Sequence, residues 1–439
     1  MLQKIHIQNF KSLNEVSLHL QDVNLLIGPN NSGKSNLLKA FEFFGNAFFN
    51  DNVVSKKQFQ SVHFRTSESS DESKNGIPIV LTLETENILY QLEIYGVQNG
   101  KIKGLEFLGK KKNIACNGVV KVANFRNLDE YFSKYIFLKT QLIFPDEKTL
   151  FNIIGRSGGH DYAVAYDGKN IEGERMLSFG QLIESTIISS DKELNSFYVN
   201  VLHTLNTSVN AINVSNLKQP YPTLENDYYV NSDASNLVAF LDNMRDAYPE
   251  VIRKINQNLQ ECIEEFRTII FEKVSLSPEH KLRKIYGDKT FKRIGVLDKY
   301  GQKYWADELS DGTLYFLALL ATIHQPNPPK LLLLEEPENG IHPRRIKEVV
   351  DFIFELAESK GVQVIMTTHS TVLIDQFEDL PENIFVFDKN TTYTTIKNLQ
   401  SDIIAEDKQQ SEKLNLPQLD LSGSLGDHWA SGLIGGVPK

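Results

Sequence analysis

The sequence predicts an α/β fold with a mixed or parallel sheet, a β lobe and an inserted helical lobe. Val23–Ile27 is a short, mostly apolar run, and the continuous apolar run at residues 331–334 is typical of a strand buried in a parallel sheet. Alternating apolar and polar residues predict further strands up to about residue 145, and helical spacing dominates from about 180 to 272. A strand-and-helix alternation, typical of α/β proteins, occupies residues 308–370.

Length and composition indicate a folded, acidic protein of several domains. The 439 residues correspond to about three domains. With 46 Lys and Arg against 56 Asp and Glu, the net charge of -10 argues against a surface coated with basic residues for wrapping nucleic acid. Two cysteines without a CxxC pair exclude a disulfide framework and fit a reducing cytoplasm. No apolar run approaches the roughly 20 residues of a membrane span, so we expect a cytoplasmic protein without a membrane partner.

The first apolar run leads into GPNNSGKS at residues 28–35, a complete GxxxxGK[ST] loop between a predicted strand and a predicted helix. Small residues let successive backbone N–H groups turn inward and hold phosphates, and the helix N-terminus adds its dipole. Lys34 would reach the outer phosphates and Ser35 would offer a hydroxyl to Mg²⁺. The candidate nucleotide-binding residues here are Asn30, Asn31, Ser32, Gly33, Lys34 and Ser35.

Two adjacent acids, Glu335 and Glu336, follow the apolar run at residues 331–334. Ligands of α/β sheets bind at the carboxyl ends of the strands. Glu335 therefore suits the Mg²⁺ shell, directly or through water, and Glu336 suits polarising the attacking water. On this run alone, a strand that ends in solvated acids is the alternative interpretation.

Two weaker signals lie on either side of that strand. In LSDGT, at residues 309–313, Ser310 and the N–H groups around Gly312 could hold a phosphate at a helix start, although an ordinary N-cap explains the same residues. In TTHS, at residues 367–370, His369 is either structural or a hydrogen-bond partner of a γ-phosphate.

The middle of the chain is less specific. A helix that opens near Pro249 is predicted to place apolar residues as far as Ile270 on one face. The Lys/Arg run within residues 281–293 could contact phosphates, but a solvated hairpin is the more common structure for such a run.

Together the motifs resemble those of the ABC-type ATPases of the RecF/SMC/OLD group. GPNNSGKS is similar to their Walker A motif, LLLLEE to Walker B, LSDGT to the signature and THS to the switch histidine. IHIQNFKSL and EEPENGIHP also match, and residues 232–237 match more weakly. The resemblance implies an ABC-ATPase head with a split P-loop core: residues 1–180 carry Walker A and the β lobe, 181–272 a helical insertion, 273–399 the rest of the head, and 400–439 a tail.

The resemblance also implies ATP and Mg²⁺ as cofactors and a head-to-head homodimer, with higher assembly left open. In such a dimer, Lys34 and Ser35 of one subunit face Ser310 and Gly312 of the other across ATP. The implied catalytic residues are Glu336 and His369, and the implied metal ligands are Ser35 and Glu335.

Three positions depart from the group or stay unassigned. Glu335 stands where Asp is common in Walker B, and Asp311 stands where the signature commonly has Gly, which leaves the hydrolysis rate open. Gln141 is a candidate for the glutamine loop.

The function expected from this resemblance is an ATP-driven switch that controls a partner effector in bacterial defence against phage or plasmids. Residues after 380 are too few for the Toprim-type nuclease domain of OLD-like ATPases, so we expect a separately encoded effector such as a nuclease or toxin. A RecF-like DNA repair ATPase, with DNA as a partner, is the alternative. The ATPase subunit of a membrane transporter is less favoured, because LSDGT and the inserted lobes depart from that class.

The terminal GDHWASGLIGGVP is either a docking tail or a segment packed on its own head.

Overall fold

The structure is a computed structural model. It describes residues 1–49, 61–64, 212–223, 229–231, 233–326, 328–339, 341–390 and 392–437, together with the strands bounded below between residues 79 and 210. Two compact units divide the chain. Unit 1 contains residues 1–206 and 380–439, and unit 2 contains residues 207–379.

The first part of unit 1 is mostly antiparallel sheet, and the buried phosphate-loop strand and its helix are the exception. Its elements are β1 (Leu2–Phe10), β2 (Leu13–His19), β3 (Val23–Ile27), α1 (Lys34–Phe49), β4 (Ile79–Thr85), β5 (Ile88–Tyr95), β6 (Glu106–Lys111), β7 (Ile114–Val119), β8 (Phe137–Ile143), β9 (Thr149–Ser157), β10 (His160–Tyr166) and β11 (Lys169–Asn170). The strands of the β lobe are ordered β11-β10-β9-β8-β5-β4-β1-β2, with β6 on β5 and β7 on β6. This confirms the strand-rich pattern predicted for the first third of the chain.

Unit 2 combines parallel strands, an antiparallel sheet and helices. Its elements are β12 (Val209–Asn210), α2 (Val214–Leu217), β13 (Tyr221–Pro222), α3 (Leu237–Ala247), α4 (Pro249–Cys262), β14 (Phe266–Val274), α5 (Lys281–Tyr286), β15 (Phe291–Asp298), β16 (Lys303–Trp305), α6 (Asp311–His324), β17 (Leu331–Glu335), α7 (Ile346–Lys360), β18 (Gln363–Thr367) and α8 (Thr371–Asp375). β17 lies between β12 and β18 and is parallel to both. Its four leucines are buried, as expected of a strand covered on both faces.

Two sequence predictions for unit 2 were wrong in detail. The helix that opens at Pro249 ends at Cys262, and residues 266–274 form β14 instead of continuing it. Pairing with β15 along its whole length outweighs the local helical spacing, and Thr268, Ile269 and Ile270 are β-branched residues that favour strands. The basic run does not form a hairpin, because Lys281–Tyr286 is a short helix, α5, ahead of β15.

The chain then returns to unit 1. The remaining elements are β19 (Ile384–Lys389), β20 (Thr394–Asn398), α9 (Ala405–Leu414) and α10 (Leu425–Ala430). β19 pairs in parallel with β3 and antiparallel with β20. Strands more than 350 residues apart thus share one sheet, which confirms the split core implied by the resemblance.

The end of the chain packs on unit 1. Leu425, Trp429 and Ile434 are buried, and the indole Nε1 of Trp429 donates a hydrogen bond to the Gly436 carbonyl at 3.0 Å. A Cβ on Gly436 would lie 2.7 Å from Val386 of β19, so of the two interpretations left open for this segment, the structure shows the segment packed on its own head.

Among the residues that the structure describes, none of the helices has both the length and the apolar character needed to cross a bilayer.

Candidate functional site

The phosphate loop of unit 1 joins β3 to α1 through a tightly constrained turn. Gly28 has φ 146°, and a Cβ at this residue would lie 2.3 Å from the Phe387 carbonyl oxygen of β19. Gly33 has φ 111°, and its Cβ would lie 2.3 Å from the Thr394 hydroxyl. Only glycine tolerates such φ values together with such close neighbours, so a side chain at either position would distort the loop. Asn31, at φ 64°, completes the left-handed bend.

Lys34 lies at the start of α1, with its side chain folded over the loop. Its ammonium donates hydrogen bonds to the carbonyls of Gly28 at 2.6 Å and Pro29 at 3.1 Å, and the residue is only 5% exposed. An ammonium has three donors. The two carbonyls of its own loop therefore hold the Lys34 ammonium in place. The residue lies at the N-terminus of α1, where the helix dipole favours an anion.

The remaining loop residues fit a phosphate ligand to different degrees. Ser32 is 1% exposed, and among the described residues its Oγ is a buried oxygen without a hydrogen-bond partner. Such an atom costs free energy unless a ligand or water supplies the partner. Ser35 is half-buried, whereas Asn30 and Asn31 are exposed at the crest of the loop. An orphaned hydroxyl beside a buried ammonium fits a phosphate group.

In unit 2, β17 and β18 bring the predicted catalytic pair together. Their parallel register places Glu335 opposite Thr367, so the residues that follow each strand emerge side by side. The carboxylate Oε1 of Glu336 lies 3.7 Å from His369 Nε2. Both side chains are about one-third exposed, at 34% and 32%. This pair can accept a proton at one end and hydrogen-bond a phosphate oxygen at the other.

The backbone at Glu336 is unusual and is held by its neighbours. Its φ of 48° is left-handed, which non-glycine residues rarely adopt and which clusters at functional sites. The Glu336 N–H donates to the carbonyl and the hydroxyl of Thr367, both at 3.2 Å. The Asn339 amide donates to Glu336 Oε2 at 2.9 Å, which orients the carboxylate.

Glu338 is a residue of this turn that the sequence interpretation missed. Its Oε1 accepts hydrogen bonds from the Thr368 hydroxyl and, at 3.3 Å, from the His369 N–H. Burial is the main cause that raises the pKa of Glu338 above its ordinary value, and the Thr368 hydrogen bond opposes it. Glu338 thus ties the turn after β17 to the turn that carries His369. In the sequence, Glu338 stands out only as the third acid of EEPENG. An acid at that distance from the end of a strand is normally interpreted as exposed to solvent.

Metal ligands are few in the described residues, where no cluster of three or more His, Cys, Asp or Glu could hold an ion. Ser35 of unit 1 and Glu335 of unit 2 are half-buried, and a hydroxyl and a carboxylate are oxygen ligands of the kind that Mg²⁺ prefers. Mg²⁺ usually binds through one or two protein oxygens plus substrate phosphates and water, so each residue, taken by itself, could supply one such oxygen.

The signature residues lie at the start of α6. Ser310 is exposed and caps the helix, because its Oγ accepts the Thr313 N–H at 3.1 Å. Gly312 is buried in the first turn, and Asp311 forms an ion pair with Lys218 at 2.6 Å. The N-cap interpretation is therefore correct, and capping leaves the helix N-terminus suited to an anion as well.

Two further candidates are described only in part. The structure describes only the backbone of Gln141, in β8, and Ser232, which opens the weak match at 232–237, is not described. The glutamine-loop interpretation of Gln141 stays a prediction.

A buried lysine at the start of a helix, after a glycine-bounded loop, and an acidic strand end beside a histidine define an α/β P-loop ATPase of the ABC type. The chain belongs to the family described as "AAA domain, putative AbiEii toxin, Type IV TA system", which matches residues 23–98 and 174–375.

Individual relatives agree with this class. An ATP/GTP phosphatase of Helicobacter pylori is 21% identical over 85% of this chain and 87% of its own length. The uncharacterized ABC transporter ATP-binding protein YdbJ of Bacillus subtilis is 41% identical, but over 16% of this chain and 20% of its own length. ABC transporter I family member 17 of Arabidopsis thaliana is 26% identical over 26% of this chain and 44% of its own length. The chain thus spans less than half the length of these two transporter proteins.

Among solved structures, the chain is similar to an SmcHead bound to the C-winged helix domain of ScpA. The TM-score is 0.46 and the identity 15%, over 92% of this chain and 99% of that chain.

Proposed function

We propose that the protein hydrolyses ATP and works as a switch, in which ATP closes a head-to-head homodimer and hydrolysis reopens it. The observation that carries the proposal is the Glu336–His369 pair at the aligned ends of β17 and β18. Family membership and the relative described as an ATP/GTP phosphatase support nucleotide hydrolysis.

In the proposed reaction, the phosphate loop binds and orients the triphosphate. Lys34 and the Ser32 hydroxyl bind the outer phosphate oxygens, and the N-terminus of α1 adds its dipole. Glu336 accepts a hydrogen bond, and then a proton, from the water that attacks the γ-phosphorus. As the new oxygen–phosphorus bond forms, the bond from the γ-phosphorus to the β–γ bridging oxygen breaks, and ADP leaves with that oxygen. His369 donates a hydrogen bond to the γ-phosphate. Ser35 and Glu335 would hold Mg²⁺, which neutralises phosphate charge when bound.

In a dimer, the signature residues LSDGT would have a second role besides capping α6, which is to bind the nucleotide of the other subunit. Ser310 is exposed at the start of α6. In the proposed dimer, Ser310 and the N–H of Gly312 of one subunit complete the phosphate shell formed by Lys34 of the other.

An intersubunit complementation experiment tests the dimer. Lys34→Ala and Ser310→Arg chains should each be inactive, because every composite site then carries one defect. In an equal mixture, each heterodimer has one site with both defects and one intact site, so about a quarter of wild-type ATPase activity should return. A mixture as inactive as its components would overturn the composite site, and full activity of Ser310→Arg alone would do the same.

We further propose that the switch controls a separately encoded effector, such as a nuclease or toxin, in bacterial defence. The toxin and Type IV TA system in the family description support this role. Affinity purification of Glu336→Gln from the source cell, with and without ATP, tests it. An effector retained only with ATP is expected, and a membrane protein in its place would favour the transporter alternative.

The RecF-like alternative requires unpaired cations, and three of the six Lys and Arg residues in the basic run form ion pairs. Arg283 pairs with Asp288, Lys292 with Asp242 and Arg293 with Glu272. Paired cations release few counterions on binding DNA. We therefore expect weak DNA binding; a strong affinity that falls steeply with salt would favour the repair ATPase.

A further inference from the structure

Beneath the phosphate loop of unit 1, polar side chains from three separate segments meet. Thr394, the first residue of β20, is 2% exposed, and its hydroxyl lies 2.7 Å from the Ser32 carbonyl and 2.8 Å from Ser12 Oγ. Ser12 lies in the turn between β1 and β2, and its Oγ also accepts from the Asn36 amide of α1 at 2.8 Å. The Thr394 N–H donates to the Ser12 carbonyl at 2.8 Å, so the backbone fixes these two segments together.

The chemistry of the groups sets the direction of the bond to the loop. The Ser32 carbonyl can only accept, so it takes the single hydroxyl proton of Thr394. The same hydroxyl lies 2.8 Å from Ser12 Oγ, which accepts from the Asn36 amide. Asn36, Ser12 and Thr394 thus form a connected set of hydrogen-bonding groups, here called the relay, that ends on the Ser32 carbonyl. Hydrogen bonds linked in this way polarise and strengthen one another.

This relay ends on the peptide bond between Ser32 and Gly33, inside the phosphate loop. The described part of the chain contains no cis peptide bond, and in a trans peptide the C=O and N–H point in opposite directions. Because Thr394 holds the Ser32 carbonyl on its side of the loop, the N–H of Gly33 is directed to the other side. A flipped peptide would present a carbonyl oxygen there and repel phosphate.

Gly33 shows how closely the relay is fitted to the loop. A Cβ on Gly33 would lie 2.3 Å from Thr394 Oγ1 and 2.9 Å from Ser12 Oγ. The two hydroxyls therefore occupy the space that any other side chain at this position would need. Glycine is required here both by its φ of 111° and by the relay beneath it.

We propose that Thr394 and Ser12 are positioning residues of the nucleotide site, which set the Ser32–Gly33 peptide so that the Gly33 N–H faces the bound phosphates. This inference rests on the proposed function, since it assigns a role within the same ATP site. Neither residue belongs to the GxxxxGK[ST] motif, and Thr394 lies 362 residues beyond Ser32.

The test compares Thr394→Val, which has nearly the same shape but no hydroxyl, with Thr394→Ser, which keeps it. Thr395→Val is the matched control, because Thr395 is the next residue of β20 and its hydroxyl reaches only the Asp388 carbonyl, at 3.4 Å. ATP affinity and kcat are measured for all three. Hydrogen–deuterium exchange of residues 28–36 is measured without nucleotide.

Loss of the hydroxyl leaves the buried Ser32 carbonyl without its partner, so Thr394→Val should weaken ATP binding about tenfold to a hundredfold. Its kcat at saturating ATP should stay within about threefold of wild type, because Glu336 and His369 are unchanged. Exchange in residues 28–36 should rise. Thr394→Ser and Thr395→Val should match wild type in every measurement.

Unchanged ATP affinity in Thr394→Val overturns the inference while the proposed function stands. Equal losses in Thr394→Val and Thr395→Val also overturn it, because they indicate general damage to β20. If wild type binds no ATP, the proposed function fails, and loop exchange then decides the relay alone: faster exchange restricted to Thr394→Val supports it, and unchanged exchange overturns it.

Discussion

The phosphate loop of unit 1 and the turn after β17 in unit 2, here called the acidic turn, are the regions to which we assign phosphate binding and turnover, and they are built differently. Ser32 and Lys34 are almost fully buried, at 1% and 5% exposure, and the carbonyls around them are already hydrogen-bonded. Glu336 and His369 are each about one-third exposed and 3.7 Å apart, beyond hydrogen-bond distance.

The difference in burial and in existing hydrogen bonds suits the loop to binding and the Glu336–His369 pair to catalysis. A preorganised loop binds phosphate without losing further conformational freedom. An open pair can adjust when nucleotide binds and when the proposed dimer forms, and catalytic hydrogen bonds often tighten only in the reactive complex. Substitutions in the loop should therefore affect binding, and substitutions in the acidic turn should affect turnover.

The largest effect is expected for Lys34→Ala. Removing the ammonium takes away the main positive charge of the loop and should abolish measurable ATP binding, which corresponds to a loss of at least about a hundredfold. Isothermal titration with ATP and with GTP measures it. Lys39→Ala, an exposed lysine on the same helix, should bind like wild type. If ATP affinity survives in Lys34→Ala, the phosphate-loop assignment is wrong.

Glu336→Gln should have the converse effect. The amide keeps the shape but cannot accept a proton, so kcat should fall about a hundredfold or more while ATP stays bound and the heads stay associated. Phosphate release and the mass of the complex in ATP are the measurements. Glu355→Gln, an exposed acid on α7, is the control. Normal hydrolysis would transfer the base role to Glu335 or His369.

A smaller effect is expected where the end of the chain contacts the loop. A Cβ on Gly436 would lie 3.4 Å from Gly28 Cα, and Trp429 holds the Gly436 carbonyl. Trp429→Ala should lower the free energy of unfolding by about 3 kcal/mol, because it leaves a cavity and an unpaired carbonyl. Denaturant unfolding measures this. Leu433→Ala, at a side chain 47% exposed, should be nearly neutral. Equal losses in the two variants would show that Trp429 adds no specific contact.

The smallest expected effect is a pH dependence of the free energy of unfolding that comes from His324 in unit 2. Burial lowers the pKa of His324, at the end of α6, to about 4, and its Nε2 donates to Asn258 Oδ1 at 2.6 Å. The unfolded chain takes up this proton near pH 6.5 and the folded chain only near 4, so stability is lost as pH falls through that window. Between pH 7 and 5 the wild type should lose about 2 kcal/mol more than His324→Gln, whose amide does not titrate. Parallel pH profiles for the two proteins would contradict this.

Several features could be read from the sequence because they are local. The glycines and the lysine of GPNNSGKS identify the phosphate loop, and β3 has the bounds that its apolar run predicts. Four leucines followed by two acids locate β17, and LSDGT locates the start of α6 with Ser310 as its cap. In each case neighbouring residues carry both the signal and the structure, so no distant contact is needed to interpret them.

Other features depend on which segments meet in space, and only the tertiary structure decided them. Residues 266–274 form a strand because β15 pairs with them, in spite of their helical spacing. Glu338 is recognisable only once its carboxylate is seen to bind the turn before His369. Thr394 reaches Ser32 because β19 pairs with β3, a contact across more than 350 residues that leaves no trace in local pattern. The sequence determined the chemistry of this ATPase, and long-range pairing decided which side chains hold that chemistry in position.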